Sequence, residues 1–178
     1  IFHLIEEFCQ TTHGSTDYGK DLTYVVGADN SQFAPLSYIL KKYPQILFPL
    51  DYEILVRKWA KKNKITFELP MSIIRQESAF NPEARSHAEA YGLMQLLPDV
   101  ADQLRKRAKV SYQTATDLFD PEINVPLGCA LLSQLFKKWD QRFIPAVASY
   151  NASERAVLNW LKRRTHNDPL MFIEEIPY

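Results

Sequence analysis

The chain has 178 residues, 46% of them hydrophobic and 24% charged, and its 21 basic residues balance 21 acidic ones. That length and apolar content are enough to bury a core, which excludes a disordered chain and predicts one compact domain with an appendage. The densest basic runs, RKWAKKNK and LRKRAK, look like solvated helix faces and are too short to track a phosphate backbone, so no nucleic-acid partner is expected. No apolar stretch approaches the about 20 residues that a membrane-spanning helix needs, which predicts a soluble protein with no membrane span. The chain opens IFHLIEEF, without an initiator Met or a basic leader, so export cannot be read from it directly.

With only 5 glycines, and 11 prolines placed mainly between apolar runs, the pattern is helical rather than alternating. FHLIEEF is expected to be a short helix, followed by the turn-rich TTHGSTDYGKDLTYVVGADNSQ with an extended piece at TYVV. Residues 1–48 are therefore read as an N-terminal helical and loop appendage, compatible with the end of a larger helical region. Residues 49–178 are read as the principal domain. Asp51 is expected to cap a helix through YEILVRKWAKKN, and Pro70 to open MSIIRQESAF, which Asn81 and Pro82 end. Pro98 restarts the chain as DVADQLRKRAK. In FDPEINVPLGCALLSQLFKKW, Asp120 caps, Pro121 takes the first helical position and Glu122 favours the dipole. FIPAVASY, SERAVLNWLKRR with Ser153 as its cap, and PLMFIEEI complete the set. Cys9 and Cys129 lie far apart, and Cys129, within LGCALL, is expected to be a small buried hydrophobe rather than half of a disulfide.

One residue breaks the apolar pattern. In IIRQESAF, Glu77 follows Ile73 and Ile74 by four and three positions, so it shares their side of a helix. Alone, such a glutamate is usually a solvated surface residue. On an apolar face it is instead a carboxyl whose pKa is raised by desolvation, which is what a general acid near neutral pH requires.

The motifs RQESAFNPEARS, YGLMQLLPDVA, LFDPEINVPLGCALL, AVASYNAS and FIEEIPY, in that order, resemble the soluble lytic transglycosylase family over roughly Leu50 to Tyr178. The resemblance implies an all-α, goose-type-lysozyme-like domain that cleaves the β-1,4 bond between N-acetylmuramic acid and N-acetylglucosamine in bacterial peptidoglycan. It implies Glu77 as the single catalytic acid and base, and Ser86 as the contact to the sugar's N-acetyl group. Met94 and Gln95 are implied to line the cleft, and Tyr150 to bond near the catalytic carboxyl. Glu89, Tyr91 and Asn151, within the same motifs, complete the candidate substrate-binding set. No cofactor and no metal are implied. The expected partner is the peptidoglycan glycan strand, bound by a monomer in the periplasm or elsewhere in the cell envelope.

The family usually carries glycine at the positions of Glu89 and Ser153, and it continues beyond EEIPY into a further acidic and aromatic motif. If the Glu89 carboxylate faced the cleft, it would suit a free amine better than an N-acetyl group, which suggests tuning to de-N-acetylated glycan. No second carboxylate stands at a matching motif, and a substrate-assisted route in which the N-acetyl carbonyl supports the anomeric carbon accommodates that absence. Three alternatives stay open on the sequence: a lysozyme-type hydrolase with the same fold and substrate, a non-catalytic peptidoglycan-binding domain, and a structural helical scaffold.

Overall fold

The computed structural model describes residues 49–164 and 168–177. The expected helix FHLIEEF and the extended TYVV lie outside the described residues. Among those described there are seven α-helices and one 3-10 helix, and no strand. The α-helices are α1 (Glu53–Asn63), α2 (Glu68–Ser78), α3 (Pro98–Ala108), α4 (Pro121–Lys138), α5 (Phe143–Ala152), α6 (Glu154–Arg163) and α7 (Pro169–Glu174), with the 3-10 helix Ala115–Phe119 between α3 and α4. A lysozyme-like all-α globule is the architecture the sequence predicts.

The helix boundaries follow local chemistry. Pro98 occupies the start of α3, where its missing N–H leaves no bond unmade. The Asp120 carboxylate caps α4 by accepting from the Glu122 N–H at 2.8 Å, and Pro121 follows it. Ser153 caps α6 through its hydroxyl, which accepts from the Ala156 N–H at 3.4 Å. Three expectations are corrected. At α1 the N-cap position is Tyr52 and no side chain caps it, so Asp51 does not serve; Glu53 in the first turn and Lys61 and Lys62 in the last complement the dipole instead. Helix α2 begins at Glu68, two residues ahead of Pro70, which fits inside the first turn because no acceptor lies below it there. It ends at Ser78, before Asn81, because Ala79 and Phe80 turn left-handed with φ of 49° and 67°. Asn81 then organises the next turn, its Oδ1 accepting from the Glu83 N–H at 2.9 Å.

Helix α4 is the central post. Val125, Leu127, Cys129, Ala130 and Leu132 on it are fully buried, and α1, α3, α5 and the 3-10 helix pack against it. Burying each of the valine and leucine side chains contributes about 1.5–3 kcal/mol. Cys129 is free and buried, as expected of a small hydrophobe, and burial pushes its thiol up to about 12. A larger cluster gathers α1 to α4 around Ile74, Leu93, Met94 and Leu118. A smaller one joins Leu135 and Trp139 at the end of α4 to Ala146, Val157 and Phe172. Here the Trp139 indole N–H donates to the Ser149 hydroxyl at 2.9 Å, satisfying two buried polar groups at once.

Candidate active-site cleft

Glu77 is the penultimate residue of α2, where the helix leaves the larger core and the chain turns. Ile73 and Ile74 on the same helix are buried and hold this end in place, leaving Glu77 half-buried at the mouth of a cleft of about 220 Å³. Burial raises its carboxyl above the ordinary carboxylate range. The negative end of α2 acts in the same direction. Among the described residues no cation and no hydrogen-bond donor meets this carboxylate, and it is the only carboxylate that lines the cleft.

Facing Glu77 are the polar groups Ser86, Gln95, Tyr150 and Asn151, set between Leu96, Leu97, Val100 and Leu131. The Ser86 Oγ accepts from the Ala90 N–H at 3.1 Å, which leaves its own proton uncommitted. Gln95 takes a left-handed φ of 47° and its Nε2 donates to the carbonyls of Ala84 and Gly92 at 2.9 and 3.0 Å. Both amide protons are thereby spent, and the Oε1 acceptor stays open. Tyr150 donates from its hydroxyl to the Met94 carbonyl at 2.7 Å. Its hydroxyl is pushed well above its ordinary value, first by burial and then by the charge of Glu77 and by Cys129. Tyr150 and Glu77 are thus electrostatic neighbours, while the phenol proton itself is committed to Met94.

Three of the expected residues are not among those that line the cleft. The Met94 side chain is fully buried against Gly128 of α4, where an added Cβ would stand 2.2 Å from the Met94 Sδ. Met94 meets the site through its carbonyl, not its thioether. Tyr91 has a buried ring packed edge-on to Phe119 at 5.3 Å. Its hydroxyl donates at 2.7 Å to Glu89, whose exposed carboxylate also pairs with Arg85. Those two bonds hold the Glu89 carboxyl below its usual range, the Arg85 contact being the larger cause.

Asn124 escaped the sequence argument. It is fully buried on α4, its Nδ2 donating to the carbonyls of Tyr91 and Leu118, both at 2.8 Å, while its Oδ1 accepts from the Met94 N–H at 2.8 Å. One side chain thus pins the loop that carries Gly92, Met94 and Gln95. Gly92 has a φ of 75° and any Cβ there would stand 2.2 Å from the Leu118 carbonyl oxygen, so only glycine admits this approach. The signal available was a lone amide inside the otherwise apolar NVPLGCALL face.

Residues 54–172 match the family described as Transglycosylase SLT domain. The chain belongs to that family. This SLT domain is 34% identical over 133 residues to the soluble lytic murein transglycosylase of Escherichia coli K12, covering 74% of this chain and 21% of that protein. It is similar to the crystal structure of the 70 kDa soluble lytic transglycosylase from Escherichia coli, with 29% identity and a TM-score of 0.72 over 90% of this chain and 24% of that one. It is also similar to the structure of an inactive glutamate-to-glutamine mutant of Slt from Pseudomonas aeruginosa, with 34% identity and a TM-score of 0.70 over 75% of this chain and 22% of that one. The SLT domain chain therefore spans about a fifth of the length of these relatives.

Proposed function

We propose that this SLT domain is a peptidoglycan lytic transglycosylase that cleaves the β-1,4 bond between N-acetylmuramic acid and N-acetylglucosamine, with Glu77 as its acid and then its base. The observation that carries the proposal is the half-buried Glu77 carboxyl, raised by desolvation and, among the described residues, free of any cation and alone among carboxyls at the cleft. Protonated, it donates to the glycosidic oxygen, which leaves with the bonding electrons. The substrate's N-acetyl carbonyl oxygen attacks the anomeric carbon and takes the place a second carboxylate would fill. The Glu77 carboxylate then removes the proton of the C6 hydroxyl, whose oxygen displaces the carbonyl and closes a 1,6-anhydro ring. Ser86, with a free hydroxyl proton, is suited to donate to the N-acetyl group, and the open Oε1 of Gln95 to accept from a sugar hydroxyl or amide. The inactive Glu-to-Gln mutant of the Pseudomonas aeruginosa relative supports a chemistry that turns on one glutamate.

The wall substrate puts the protein in the cell envelope, and among the described residues no helix is long and apolar enough to cross a membrane. A preference for de-N-acetylated glycan gains no support from the geometry, because Arg85 and Tyr91 already engage the Glu89 carboxylate. Incubation with purified peptidoglycan followed by mass analysis of the released muropeptides tests the proposal. Anhydro ends, one water lighter than reducing ends, are expected. Reducing ends alone would make the protein a lysozyme-type hydrolase, and binding without release would make it a glycan-binding domain.

A further inference from the structure

The loop that floors the cleft closes on itself. Arg85 and Tyr91 form an antiparallel bridge at its ends, and the Ser86 N–H donates to the Ala90 carbonyl at 3.0 Å. The Ala90 N–H returns a bond to the Ser86 Oγ at 3.1 Å, and the Glu89 N–H donates to the Ser86 carbonyl at 3.1 Å. Ser86, Ala88 and Ala90 line the cleft, whereas Arg85, Glu89 and Tyr91 do not. Instead, those three are joined to one another. The Arg85 guanidinium pairs with the Glu89 carboxylate and lies 5.2 Å above the Tyr91 ring, while the Tyr91 hydroxyl donates to the same carboxylate at 2.7 Å. The ring's edge-on contact with Phe119 anchors the group to the 3-10 helix.

Glu89 also has a left-handed backbone, with φ of 60°, which a residue bearing a Cβ adopts only at a cost. Two side-chain bonds to its carboxylate offset that cost. The turn at Glu89 sets the direction of the next N–H, that of Ala90, and the Ala90 N–H is the group that holds the Ser86 Oγ.

From this we propose that Arg85, Glu89 and Tyr91 form a clamp that fixes the loop, making Glu89 a positioning residue for Ser86. The carboxylate does not touch the glycan; it sets the place of a hydroxyl that does. The inference rests on the assignment of the cleft to glycan, and its test separates the two. Amide hydrogen exchange at Ala90 is measured first, without substrate, in wild type, Glu89→Ala, Glu89→Gly, Arg85→Ala and the Arg85→Ala/Glu89→Ala double variant. KM and kcat on soluble glycan strands follow.

Glu89→Ala, which keeps the Cβ and loses the clamp, is expected to speed Ala90 exchange and to raise KM about three- to tenfold while changing kcat less. Glu89→Gly should recover most of the loss, since glycine takes the left-handed turn unaided. The double variant should be no worse than the poorer single one, because the two residues act as one unit. Wild-type exchange in Glu89→Ala, a fall in kcat at constant KM, or equal damage from Ala and Gly at position 89 would overturn the clamp. If the wild type neither binds nor cleaves glycan, the glycan assignment fails while the exchange data still decide the clamp.

Discussion

The helix and the loop that border the cleft carry a glutamate each, one lining the cleft and the other turned away from it, and they treat it in opposite ways. On the helical wall, Glu77 is half-buried, meets no cation among the described residues, and has its proton held by desolvation. On the loop wall, Glu89 is exposed, meets Arg85 and Tyr91, and gives its proton up more readily than usual. The side chains are identical, so the division of labour comes from environment alone: a carboxyl without partners is available for proton transfer, and a partnered one is a fastener. The polar groups behave the same way. Around Glu89 each has a protein partner, while the Ser86 proton and the Gln95 Oε1 face the cleft unspent.

The comparison is broken most severely at Glu77. Glu77→Gln should lower turnover on peptidoglycan by about 10²- to 10⁴-fold while glycan binding persists, as measured by muropeptide release and by sedimentation with the wall. A rate near wild type would remove Glu77 as the acid. The same variant sharpens the contrast through stability. A carboxyl raised in the folded state binds its proton more tightly there than in the unfolded chain, so wild-type stability falls as pH rises from the ordinary carboxylate range through the raised value. Glu77→Gln should therefore melt higher than wild type at neutral pH, with the gap closing in acid. On the proposed mechanism the rate should decline as pH climbs past the raised pKa of Glu77, since the acid form is the one that donates, and a rate that rises through that range would count against Glu77 as the acid.

Smaller effects test the loop wall. Asn124→Ala removes three buried hydrogen bonds and should cost about 3 kcal/mol in urea denaturation, with the cleft loop loosening first. Tyr150→Phe leaves the Met94 carbonyl without its phenol and should cost about 1 kcal/mol, readable in the same measurement. Least of all should change in wall preference. Wild type and Glu89→Gly are expected to show the same ratio of clearance on native and de-N-acetylated peptidoglycan, and a ratio that shifts with the substitution would return Glu89 to the cleft face.

Much of the helical frame was legible, because its signals are local. Pro98, Asp120 with Pro121, and Ser153 act within three residues of themselves, and each marks its helix start as expected. Asp51 misled because the chain reaches α1 through a turn at Tyr52 that leaves the carboxylate outside the cap. The position of Glu77 was legible from its spacing after Ile73 and Ile74. Its neighbours were legible only as a set, through motif order. What each does was not, since Met94 turns its side chain into the space over Gly128 and Asn124 bonds to a loop 30 or more positions away. Contacts of that range are written in no periodicity. Glu89 is the sharpest case: the sequence announces a carboxylate in a glycine's place, but only the backbone angle and the nearby Arg85 and Tyr91 say what it is for.

Met94 offers a window into the cleft. Its thioether lies in the dry interior against Gly128, and the carbonyl of the same residue is gripped by the Tyr150 hydroxyl at the cleft wall. A sugar that shifts Tyr150 must therefore tug on the residue whose methyl group rests against α4. Isotope labelling of that methyl would give a narrow magnetic-resonance line in a chain with only 3 methionines, reporting occupancy from inside the core without a probe attached to the binding surface.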